Sequence, residues 1–275
     1  MSVQIMAIIN TSPDSFSGDG IASSDEAALK QHIQTALDQG ADILDIGGQS
    51  TRPGAVIIDI DEEIRRVVPV ITLARQLTDK PISVDTFKPN VAQAALKAGA
   101  TIINDITGCI DPRMIELVKD SGCELVIMHM RGTPETMSSL TNYPNGVVTE
   151  TKDFLLGHAE ELVKAGIKKE NIILDPGIGF AKTAEQSFEL TKHIDEFTGQ
   201  GYRVLYGASN KSFIGKALAM DNEPAPVSNR AVGTVVVQSY AMMHGVDIVR
   251  VHDVAAAAQS RVVVESLTGS RKIAL

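Results

Sequence analysis

Residues Pro81 to Asp105 read PISVDTFKPNVAQAALKAGATIIND, and this stretch decides the fold. It opens on a short apolar run, Ile82 to Val84, and continues with helical periodicity from Pro89 to Ala98. It closes on a second short run, Thr101 to Ile103, followed by Asn104 and Asp105. Gly99 stands between helix and second run, where glycine supplies the left-handed cap that turns the chain. The unit is β-α-β.

Outward from there the same unit recurs. Further runs are Gln4 to Ile9, Asp42 to Ile46, Leu125 to Met128, Asn171 to Leu174, Arg203 to Tyr206 and Asp247 to Val251, eight in all. They are rich in Ile, Val and Leu, as parallel strands covered on both faces are. The periodicity predicts helices over Ser24–Gln39, Asp61–Leu77, Pro112–Ser121 and Thr151–Ala165, and over Ala184–Asp195, Val227–His244 and Val254–Leu267. Glycine again precedes a strand at Gly40, Gly166 and Gly245. With no linker, low-complexity stretch or charge block, the pattern predicts one domain over residues 1–275, an α/β fold closed as a (β/α)8 TIM barrel.

Composition narrows the partners. The net charge of −9 repels duplex nucleic acid and anionic membranes, and 4% aromatics with no Trp leave few stacking platforms for single strands. A few Arg and Lys in one cleft can still override that field for a small anion. Cys109 and Cys123 form no metal or disulfide pattern. The first residues show no basic leader, and no run approaches the roughly 18 apolar residues of a membrane span, so a cytoplasmic protein is expected.

Polar residues sit where the strands end. These are Asn10, Gly47-Gly48 leading into Ser50-Thr51-Arg52-Pro53-Gly54, Asp85, Asn104-Asp105, His129, Asp175, Ser209-Asn210-Lys211, and Arg250 with His252. In a TIM barrel the C-terminal strand ends converge on one mouth, where the active site lies. A polar pocket built by the whole mouth is therefore expected.

These segments resemble the dihydropteroate synthase family. The resemblance rests on Asn10 to Ser17, Asp45 to Gly54, Ser83 to Thr86, Ile103 to Ile106, Met128 to Met130, Leu174 to Phe180, Ser209 to Ser212 and Arg250 to Asp253, in family order. It implies an enzyme of folate biosynthesis and sulfonamide target that joins a pterin pyrophosphate to p-aminobenzoate. It further implies that Asp85, Asn104, Asp175 and Lys211 hold the pterin, with Arg250 against the ring. A carboxylate suits the adjacent N–H donors of the guanidine-like edge, and Asn suits a mixed edge. Asn10, Arg52, Arg250 and His252 are implied on the pyrophosphate side, with Asn10 as an oxygen ligand for Mg²⁺. Phe16, Thr51, Pro53, Phe180 and Ser212 are implied around p-aminobenzoate, helped by the start of the helix after Ser212. The Gly-, Ser- and Pro-rich loops after strands 1 and 2 are candidate lids. A homodimer through late helices is implied as well.

Three positions depart from the family pattern. Gly18-Asp19 shifts an acidic residue by one place, Gln49 stands where Glu is frequent, and Asn210 replaces the usual Arg before Lys211. A pterin-binding methyltransferase shares the acidic and Asn contacts, but the 50–54 and 209–212 segments favour the synthase. A Schiff-base aldolase using Lys211 and a pterin sensor without catalysis are the remaining alternatives.

Overall fold

Parallel strands without polar alternation need cover on both faces, and this chain obtains it by closing its sheet into a ring. The computed structural model describes residues 2–11, 26–51 and 54–271. Strands β1 (Gln4–Asn10), β2 (Ile43–Gly47), β3 (Ile82–Asp85), β4 (Ile102–Asp105), β5 (Glu124–Met128), β6 (Ile172–Asp175), β7 (Arg203–Tyr206) and β8 (Ile248–Val251) follow one another in chain order. All pair in parallel, and β8 returns to β1 to close the barrel. The fold is a TIM barrel. The polar residues at the strand ends belong to the ladder itself, since Gly47 is registered with Asp85, and Asp85 with Asn104.

The outer helices are α1 (Glu26–Asp38), α2 (Ile60–Leu77), α3 (Pro89–Ala98), α4 (Pro112–Ser121), α5 (Val147–Lys164), α6 (Ala184–Lys192), α7 (Ser212–Ala217), α8 (Ala231–Met243) and α9 (Val254–Leu267). Their limits have local causes. α3 and α4 each carry Pro in the first turn, where its missing N–H costs nothing, and end on left-handed Gly99 and Gly122. Thr183 and Gln186 form a reciprocal capping box at the start of α6. Three boundaries differ from the expected ones by three residues or more. α5 begins at Val147 because left-handed Gly146 lets the chain enter the helix a turn early and bury Val147 and Val148. α6 stops at Lys192, with a separate 3-10 turn at Ile194–Glu196. Val227–His244 is not one helix, because a 3-10 turn over Val227–Asn229 precedes α8, held by Arg230 donating to Ala225 O and Asn210 O. Ser24, the expected start of α1, lies outside the described residues.

Alternation along each strand divides the core. Met6, Ile43, Ile102, Val126, Ile173, Leu205 and Ile248 form a plug inside the ring, while their strand neighbours pack outward under the helices. The next inward positions towards the C-terminal ends are Asp45, Asp85, Asn104, Asp175 and Arg250. The plug floors the barrel mouth, and the polar layer follows it along the strands. Among the described residues no helix is long and apolar enough to cross a membrane.

Candidate active site at the barrel mouth

Arg250 is the hub of this layer. Its Nε donates to Asp45 Oδ2 and its Nη2 to Asp85 Oδ2, both at 2.6 Å, committing two of five N–H donors. Asn104 Nδ2 reaches the same Asp45 oxygen at 3.3 Å. Three strands are thereby tied to β8. Among the described residues Asp45 Oδ1 and Asp85 Oδ1 are buried without a hydrogen-bond donor. Asn10 Oδ1 and Asp85 Oδ2 flank bare Gly47, 3.8 and 3.9 Å from where a Cβ would stand there.

Across the mouth, Asp175 accepts Gly177 N at 2.8 Å, which turns the chain after β6. Lys211 donates to Ile178 O, and its ammonium lies 4.5 Å from the centre of the Phe180 ring. His252 N and Nδ1 both meet Ser209 Oγ, at 3.2 and 2.9 Å, so the β7 and β8 ends are joined. α7 starts at Ser212, and its N-cap, Lys211, makes no side-chain capping bond.

Low solvent access governs the charges. Burial pushes Asp85 up to about 7 even though Arg250 pulls the other way. Burial raises Asp175 as well, against Lys211 and the Gly177 amide. It lowers Lys211 to about 8 despite Asp175. Desolvation opposes the charge of Arg250, but Asp45 and Asp85 outweigh it and hold the guanidinium fully protonated. On the loop after β6, Lys182 Nζ donates to His129 Nδ1 at 2.9 Å, His129 O at 3.3 Å and Phe180 O at 3.0 Å. Burial brings Lys182 well below its ordinary value, and burial plus Lys182 brings His129 to about 3. A flat, donor-rich heterocycle suits such a wall of acceptors, and an anion suits the Arg and Lys.

The family described as "Pterin binding enzyme" matches residues 6–252. A dihydropteroate synthase of Synechocystis sp. is 44% identical over 96% of this chain and 89% of its own length. The chain belongs to the dihydropteroate synthase family. Among solved structures, the Yersinia pestis dihydropteroate synthase in complex with a sulfonamide drug superposes with a TM-score of 0.91 at 38% identity, covering 98% of this chain and 95% of that one. The Xanthomonas albilineans dihydropteroate synthase with 4-aminobenzoic acid gives a TM-score of 0.88 at 37% identity, over 97% and 93%. The chain is a dihydropteroate synthase of folate biosynthesis.

Of the residues that the family resemblance implied, Asp85, Asn104, Asp175, Lys211 and Arg250 come together in one electrostatic neighbourhood. Asn10, Phe180, Ser212 and His252 stand on the same rim, and Thr51 follows the end of β2. Phe16, Arg52 and Pro53, with the unusual Gly18 and Asp19, lie outside the described residues. Reading strand ends alone missed Asp45 and Lys182. Asp45 shares inward parity with Ile43 and Gly47, a signal that alternation carries. Lys182 follows the Asp175–Phe180 motif by two residues, and its partners are recognisable only in the fold.

Proposed function

We propose that the mouth binds 6-hydroxymethyl-7,8-dihydropterin pyrophosphate and transfers its pterin methylene to the amine of p-aminobenzoate. The observation that carries the residue assignment is the convergence of Asp85, Asn104, Asp175, Lys211 and Arg250 from five strand ends above one apolar floor. Asp175 takes the N–H pair of the guanidine-like edge, Asn104 the mixed edge, and Lys211 a ring acceptor. The unpartnered oxygen of Asp85 favours a ligand rich in N–H donors. Arg250, pinned by two carboxylates, offers its flat face to the ring and its charge to the pyrophosphate, a role it shares with His252 and with Arg52, which lies outside the described residues. The C–O bond to pyrophosphate breaks first, the neutral arylamine captures the methylene cation, and its proton leaves to water. Positioning and fixed charge supply the acceleration.

p-Aminobenzoate is placed against Thr51, Pro53, Phe180 and Phe16, its carboxylate towards Ser212 and the start of α7. The Xanthomonas albilineans relative contains 4-aminobenzoic acid. Among the described residues no cluster of three or more His, Cys, Asp or Glu forms a metal cage. The oxygen of Asn10 beside Gly47 is of the kind Mg²⁺ takes, since that ion uses few protein ligands and shares phosphate oxygens. When bound, Mg²⁺ neutralises the pyrophosphate. We place the whole chain, 1–275, in one pterin-binding domain, working as a homodimer in the cytoplasm, where free thiols such as Cys109 and Cys123 persist. The test is pyrophosphate release. It should require both substrates, and Asp175→Asn should lower pterin affinity at least about 100-fold, since charge-assisted hydrogen bonds are worth about 1.5–3 kcal/mol each. Release independent of p-aminobenzoate, or unchanged pterin affinity, would refute the assignment.

A further inference from the structure

The loop between β2 and α2 is closed at its base by one ammonium group. Gly48 leaves β2 pressed against α2, where a Cβ would stand 2.8 Å from Val67 Cγ1 and 3.1 Å from Glu63 Cγ. Arg66 Nη1 fixes the same point by donating to Gly48 O at 3.0 Å. The next residue, Gln49, is buried, and its Oε1 accepts from both Ile58 N at 3.0 Å and Lys88 Nζ at 2.8 Å. Lys88 Nζ also donates to Ile58 O and to Glu63 Oε2, each at 2.6 Å. An ammonium has three N–H donors, and these three acceptors match them. Both ends of the loop are thus stitched together by a residue from the neighbouring βα unit. Further out, Gly54 N donates to Pro134 O at 3.2 Å, tying the loop to the one after β5.

We propose that Lys88, with Glu63 as counter-charge and Gln49 as shared acceptor, is a positioning residue for p-aminobenzoate. It sets the stem of the loop that carries Thr51, and therefore the second-substrate pocket, without touching the pterin grip. This rests on the assignment of Thr51 to that pocket. A buried ion pair is a poor source of net stability, whereas three directed bonds fix a loop base well. The same geometry accounts for Gln49. Glu63 already balances Lys88, and a neutral amide supplies the oxygen that both donors need without a second buried carboxylate.

Gln49→Leu keeps most of the volume and removes the acceptor. The expected result is a KM for p-aminobenzoate raised about 10-fold or more, with pterin affinity by calorimetry within about two-fold of wild type. Gln49→Glu, which restores an oxygen, should bring that KM back towards the wild-type value. Thr51→Val is assayed in parallel. If Thr51→Val raises the KM and Gln49→Leu does not, the anchor is wrong while the pocket stands. If neither changes it, both are wrong. An equal loss of pterin affinity in Gln49→Leu overturns the positioning role in favour of general stability. Should Gln49→Leu not fold, the double variant Lys88→Met/Glu63→Gln removes both charges together and must show the same split between the two substrates.

Discussion

Arg250 bridges Asp45 and Asp85, yet burial still leaves Asp85 with a value of about 7, far above a free carboxyl. That difference has a sign that can be measured. Between the ordinary carboxylate value near 3.9 and about 7, the folded state holds a proton that the unfolded chain has released. Stability from this group is therefore present at low pH and lost as pH rises through that window. The difference in melting temperature between wild type and Asp85→Asn should fall from pH 5 to pH 7 and level off above pH 8. A difference that stays constant or rises would contradict the assignment. Asp85, at the end of its run, was legible in sequence, but Asp45, the other carboxylate on Arg250, was not. Asp45 sits inside an apolar run between Leu44 and Ile46, both of which face the helices. Only strand parity, not strand termination, marks it. Lys182 was hidden for another reason, because the ring and carbonyl of His129, just after β5, meet it only in the fold.

Elements place these side chains through turns with little tolerance. Gly177 has a φ of +66°, and a Cβ there would stand 2.1 Å from His129 O, a backbone atom that cannot swing aside. Its amide also orients Asp175. Gly177→Ala should cost roughly 2–4 kcal/mol, left-handed strain plus overpacking, and weaken pterin binding with it. Gly122→Ala is the control, with a similar φ of +67° and nothing within 4 Å of its Cβ, and should cost only about 1 kcal/mol. Denaturant unfolding of the pair checks this, and equal costs would contradict it. The eight strands and the limits of α3, α4 and α9 were readable because apolar runs, prolines and cap glycines act locally. The break before α8 was not. It depends on Arg230 reaching carbonyls at Ala225 and Asn210, contacts that periodicity does not encode.

The molecule as a whole carries a charge of −9, yet Arg250 and Lys211 converge at one mouth, so positive charge is concentrated locally there. Opposite in character is the outer face of α8 and α9. Val232 is 76% exposed, Val236 61%, Val263 58% and Leu267 71%, on two neighbouring helices. Residues four apart share a helix face, so each pair makes an apolar stripe that a second copy would cover. Light scattering should give twice the 29.3 kDa chain mass, and Val236→Asp/Leu267→Asp should halve it with the barrel intact. A monomeric wild type would contradict the dimer. The central claim is more direct, namely that residues far apart in the chain surround one heterocycle. A crystal structure with dihydropterin pyrophosphate measures it. The ring edge should lie within hydrogen-bond distance of Asp175, Asn104 and Lys211, with the pyrophosphate towards Arg250 and His252. A pterin bound elsewhere, with Asp175 untouched, would contradict the account.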